Sequence, residues 1–138
     1  MTYPPPPPPQ EYSDGSTTSN EDRTWAMAAH VGALVTAWFA LGLIAPLVVL
    51  LIRGESSAFV RRHAVESLNF QISLLIYSLV GGVVVLVLTL LTLGLGLFVM
   101  VPLIMVIAVF LLIVVIQAGV RANNGDDYRY PLTIRLIH

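Results

Sequence analysis

Polar and apolar residues fall into long separate blocks along this chain. Residues 1–19 (MTYPPPPPPQEYSDGSTTS) are proline or mostly polar, and apolar residues dominate from Trp25 onward, with no charge between Val31 and Ile52. Roughly 22 residues rising about 1.5 Å each make about 33 Å, enough for a hydrocarbon core of roughly 30 Å. The pattern predicts a first membrane span over about 25–52. Gly42 and Pro46 are kink candidates within it, because proline removes an amide and clashes with the preceding turn. The alternative is two short helices with a break near Gly42, each too short to cross.

From Ser67 to Val120 there is again no charged residue. As one helix, roughly 54 residues would reach about 81 Å, so the run must fold back. Gly94-Leu95-Gly96 is the expected turn, since glycine ends helices by taking positive φ. Spans two and three are then about 66–93 and 97–121, an antiparallel hairpin. Gly81 with Gly82, and Ala118 with Ala122, offer small surfaces for close helix contact. Asn123-Asn124-Gly125 terminates the third span.

Helix starts are marked by Thr18 with Glu21, Ser19 with Asp22, and Ser56 or Ser57. In the second span Arg62, Glu66, Asn69, Ser73 and Tyr77 step by four or three and share one face, a polar stripe running into the membrane. Unpaired polar groups are costly in hydrocarbon, so the stripe is expected to face protein or a wet cavity. The segment 126–138 (DDYRYPLTIRLIH) alternates apolar and mostly polar residues around Pro131. It reads as an extended or helical piece at headgroup level. Trp25, Tyr128 and Tyr130 are the expected interfacial anchors.

The reading is therefore an all-α integral membrane protein: a disordered Pro-rich tail (1–19) and a three-helix transmembrane domain (20–138). Composition agrees, with 57% hydrophobic and 11% charged residues and a mean hydropathy of +0.83. The Pro4–Pro9 run favours an extended polyproline rod, either a spacer or a docking peptide. The absence of cysteine excludes disulfides and thiolate metal sites. No basic stripe with interleaved aromatics suggests nucleic acid, and the amino terminus does not read as a cleavable signal peptide.

All seven basic residues are arginines. With three spans, Arg53, Arg61 and Arg62 share a side with Arg121, Arg129 and Arg135. The positive-inside rule then places loop 53–66 and the C-terminus in the cytoplasm and the N-terminus outside a cell membrane. Under that topology His30 and His63 lie near opposite faces, so no metal site and no cofactor is expected. The candidate polar cluster is Arg62, His63, Glu66, Asn69, Gln71, Gln117 and Arg121, with Glu66 or Asn69 meeting Gln117 or Arg121 across the helix pair. It serves as a packing clamp or as the lining of a vestibule. No catalytic constellation is present, so no enzyme is expected. The partners implied are the lipid bilayer and other membrane proteins or a second copy.

Arg23-Thr24-Trp25-Ala26-Met27 with His30, Pro46, Phe59-Val60 with His63, Glu66 to Gln71, Ala122 to Gly125 and Tyr128 to Leu132 carry a resemblance. Together they resemble a family of small prokaryotic multi-pass membrane proteins of unknown function. That family is described as similar to the twenty-kilodalton subunit (Tic-twenty) of the chloroplast inner-envelope import translocon. The similarity covers about Asn20 to His138. It implies a multi-pass helical domain without an assigned activity, fitting a membrane scaffold or accessory subunit. The alternative it raises is a channel or protein-translocation component.

Overall fold

The computed structural model describes residues 18–37 and 42–138; the Pro-rich tail as far as residue 17 lies outside them. Four helices follow in order: α1 (Asn20–Ala37), α2 (Ile44–Arg53), α3 (Ala58–Leu91) and α4 (Leu97–Asn124). Two of them, α3 and α4, are long and apolar enough to cross a membrane. At 34 and 28 residues they reach about 51 and 42 Å.

Two of the three expected cap signals act, those at Ser19 and Ser57. Ser19 Oγ accepts the Asp22 amide at 3.0 Å, and Ser57 Oγ accepts the Val60 amide at 3.3 Å, which satisfies donors that a first helical turn leaves free. The glycine turn also forms. Gly94 takes φ 89° between α3 and α4, and Gly125 closes α4 in the left-handed region at φ 85°.

The expectation of one span over 25–52 does not hold. The chain turns at Gly42-Leu43 and runs back as α2. Ala45 lies against Gly32, Val49 packs with Ala29, and Arg53 sits 5.8 Å from the Trp25 ring and pairs with Glu21. These contacts describe an antiparallel hairpin. Pro46 is the third residue of α2, where its missing amide costs nothing because first-turn amides have no intrahelical partner. It helps to begin a helix here rather than kinking one. The 10 residues of α2 span about 15 Å, half a hydrocarbon core.

Consequently the start of α1 and the α2–α3 loop lie at the same end of the molecule, not at opposite faces. α1 packs on α2, α3 and α4, while α3 and α4 touch each other little. Small residues make the α1 contacts possible. Ala26, Ala29 and Ala33 are buried on α1, and Ala118, Gly119 and Ala122 on α4. Any Cβ at Gly119 would come within 2.9 Å of Val31 Cγ2. By contrast, Gly81 and Gly82 have nothing within 4 Å of a would-be Cβ, so that pair mediates no helix contact.

Candidate functional site

The polar stripe on α3 does face protein, and the protein is the C-terminal segment. After Gly125 the chain runs down α3, turns at Pro131-Leu132 and returns, with Leu132 at φ 58°. Arg62 donates to Asp127 Oδ1 at 3.1 Å. Glu66 Oε1 accepts the Tyr130 amide at 2.8 Å and Arg135 Nη2 at 3.2 Å. Deepest along the stripe, Tyr77 donates its hydroxyl to Leu132 O at 2.8 Å. Ser73 Oγ accepts the Ile134 amide at 2.8 Å. Asn69 Oδ1 accepts the amides of Leu136 and Ile137 at 2.9 and 2.8 Å, and its Nδ2 donates to Ile137 O at 2.8 Å.

This arrangement explains why polar residues recur at helical spacing. Irregular backbone shielded from water must have its amides and carbonyls satisfied by other parts of the protein. The α3 side chains supply those partners. Each such bond contributes about 0.5–1.5 kcal/mol net, and an orphaned group costs about 1–3 kcal/mol.

Beneath the tail lies a buried aromatic chain. His30 Nδ1 is 2.8 Å from the Tyr130 hydroxyl, and His30 Nε2 is 2.8 Å from His63 Nδ1. The separation of His30 from His63 expected from three spans is therefore wrong, because α2 runs back along α1 and brings the start of α3 beside it. A neutral imidazole carries one N–H. With Tyr130 donating to His30 Nδ1, His30 Nε2–H donates to His63 Nδ1 and the His63 Nε2–H remains. That nitrogen has no partner, lies 3.9 Å from Asp127 Oδ1 and faces an open pocket of about 230 Å³ shared by Arg62, Glu66, Asn69 and the tail. Burial, with His63 alongside, holds the His30 imidazole well below its ordinary range. Burial likewise raises the Tyr130 hydroxyl.

Of the expected cluster, Arg62, His63, Glu66 and Asn69 come together around this pocket. Gln71 instead reaches the α1–α2 turn at Gly42. Gln117 and Arg121 are exposed, and the expected contacts from Glu66 or Asn69 to them are replaced by tail contacts. The reason is that α1 and the tail occupy the space beside α3 where a directly packed α4 was expected. Among the anchors, Trp25 is half-buried in a cluster with Ala29 and Val60. Tyr128 is half-buried, edge-on to Tyr130 at 5.3 Å. Tyr130 is no anchor: it is 3% exposed and stacks on Phe70 with centroids 3.9 Å apart. Sequence reasoning missed His30 and Tyr130 as partners; their only signal was being polar residues beside apolar runs. Among the described residues no group of three or more His, Cys, Asp or Glu side chains is placed to hold a metal ion.

No curated protein and no solved structure matches the chain. One family model does, over residues 21–137, and it describes a magnetosome magnetite crystal formation protein family. That match overturns the resemblance to the family of unknown function and to the import translocon subunit. Asn69 and Phe70 on α3 and Tyr130 to Leu132 in the tail, among the residues that carry the resemblance, are occupied in packing the tail on α3 and do not identify a translocon. From α1 to the docked tail, the chain belongs to the MamF/MmsF magnetosome magnetite crystal formation protein family.

Proposed function

We propose that this chain is a two-span membrane accessory protein in magnetite crystal formation, inserted from one face and acting through helix packing and protein interaction rather than catalysis. One observation carries the reading: all charged residues among those described, including all seven arginines, lie between Glu21 and Glu66 or between Arg121 and Arg135, at the end where α1, the α2–α3 loop and the tail meet. Among the described residues the far end holds the uncharged turn Thr92–Gly96. With α3 and α4 as the two spans, the positive-inside bias puts the start of α1, the α2–α3 loop and the C-terminus in the cytoplasm. The buried polar groups favour a structural role, because Glu66, Asn69 and Ser73 bind the tail, His30 binds Tyr130 and His63, and Ser67 donates to Ala29 O on α1. Its partners are lipid and, at the basic end, other membrane proteins or a second copy.

The test is replacement of the gene in the source cells by Asn69→Leu, with membrane abundance followed by immunoblot and magnetite crystal dimensions by electron microscopy. The expected result is altered crystals at retained abundance. Unaltered crystals, both with this variant and on full deletion, would sink the reading.

A further inference from the structure

We infer that the chain is a one-leaflet wedge that partitions preferentially to convexly curved membrane, with its basic end on the convex side. The inference rests on the two-span reading above. Its basis is how unevenly the molecule fills the two halves of the bilayer. Every buried residue of α3 lies between Phe59 and Ser73, and every buried residue of α4 between Val114 and Ala122. Beyond them the two helices run alone, with Leu79 72%, Leu90 67% and Phe98 80% exposed.

The long helices are tied together at the far end by Thr92–Gly96. At the basic end α1 packs against both, while they touch each other little. They therefore diverge from the turn toward the basic end. The α1–α2 hairpin and the tail fill only that broader end. The α1–α2 turn reaches α3 near Gln71, and the tail reaches Tyr77, leaving about 20 Å of α3 to Leu91 with neither beside it. A helix about 10 Å across occupies on the order of 80 Å² of leaflet. Two extra helices and a doubled-back tail thus spread the basic-side leaflet by roughly twice that area. The exposed apolar tip, Leu132 at 81%, adds an insertion of the kind that makes shallow amphipathic segments curvature-sensitive. Spreading one leaflet more than the other is relieved when the bilayer bends convexly on the spread side.

The chain has no cysteine, so a single Ser56→Cys in the exposed α2–α3 loop reports orientation cleanly. The full chain carrying it is reconstituted into phosphatidylcholine vesicles of graded size, from about 50 to about 400 nm across, because insertion of this kind is curvature-sensitive. A membrane-impermeant maleimide dye marks molecules with the basic end outside. A second dye added after permeabilisation marks the rest, and dye per lipid is read vesicle by vesicle. The expected result is at least about a twofold higher density of outward-facing molecules on the smallest vesicles than on the largest, with inward-facing molecules depleted there. Equal density at all diameters, or equal enrichment of both orientations, would overturn the wedge. Asn20→Cys labelled in the same vesicles separates the two claims. If it reacts from the opposite face to Ser56→Cys, the two-span reading falls and the wedge with it. If both react from one face while the size dependence is flat, only the wedge is lost.

Discussion

Asn69 binds both backbone groups of Ile137: its Nδ2 donates to the carbonyl and its Oδ1 accepts the amide, each at 2.8 Å, across 68 positions of sequence. A strand partner would present the same pair of groups. In this way one buried amide holds the returning tail against α3.

Asn69→Leu keeps the branched side-chain shape and removes all three tail bonds. The expected loss is about 2–4 kcal/mol, from three lost bonds with buried backbone groups left unpaired. Hydrogen exchange in detergent micelles should accelerate at Ile134 to His138 in this variant while the α3–α4 turn exchanges as before. Unchanged protection of the tail would show that the bonds contribute little.

His30 joins two partners, so its replacement by Phe leaves His63 Nδ1 and the Tyr130 hydroxyl unpaired at about 2–4 kcal/mol. Tyr130→Phe should cost about 1–2 kcal/mol by itself. Because both variants break the same bond, their combination should cost measurably less than the sum. Additive losses in denaturation midpoints would indicate that the chain of bonds is not formed.

Burial disfavours the charged form of His30 in the folded protein. The unfolded chain takes up a proton near pH 6.5 that the folded chain refuses, so stability is full above about pH 6.5 and falls as pH drops below it. The slope approaches about 1.4 kcal/mol per pH unit for this one group. Unfolding midpoints from pH 7.5 to 5 should show the decline, and His30→Asn should make it shallower. A wild-type midpoint that rises on acidification would reverse the assignment.

Two glycine substitutions should separate packed from unpacked surface. Gly119→Val drives side-chain atoms into Val31 at the α1–α4 contact and should cost about 1–3 kcal/mol or more. Gly82→Ala meets open space and should stay within about 0.5 kcal/mol of the parent. Thermal unfolding in one detergent compares them directly.

How far these features were legible in the sequence differed from element to element. The α3–α4 turn was legible because a charge-free run too long to cross once carries two glycines near its middle. The stripe from Arg62 to Tyr77 was legible as a face needing partners, because helical periodicity shows which residues share a side. What covers that face was not, since the tail is bound mostly through backbone groups and backbone leaves no pattern in side chains. The α1–α2 hairpin was obscured by hydropathy, which is the same for a run that crosses and a run that doubles back. Gly42 followed by Pro46 was the available signal, and it serves equally for a kink or for a fresh helix start. A single span over that run puts His30 at the end opposite His63, which hides the His30–His63–Tyr130 bonds.

The central claim is that the start of α1, the α2–α3 loop and the tail occupy one face of the membrane, with only the α3–α4 turn on the other. Single cysteines at Asn20, Ser56 and Leu95, probed with an impermeant maleimide in sealed membranes of uniform orientation, test it directly. The account predicts that Asn20→Cys and Ser56→Cys react from the same face and Leu95→Cys only from the opposite one. Asn20→Cys reacting together with Leu95→Cys, and opposite to Ser56→Cys, would contradict it.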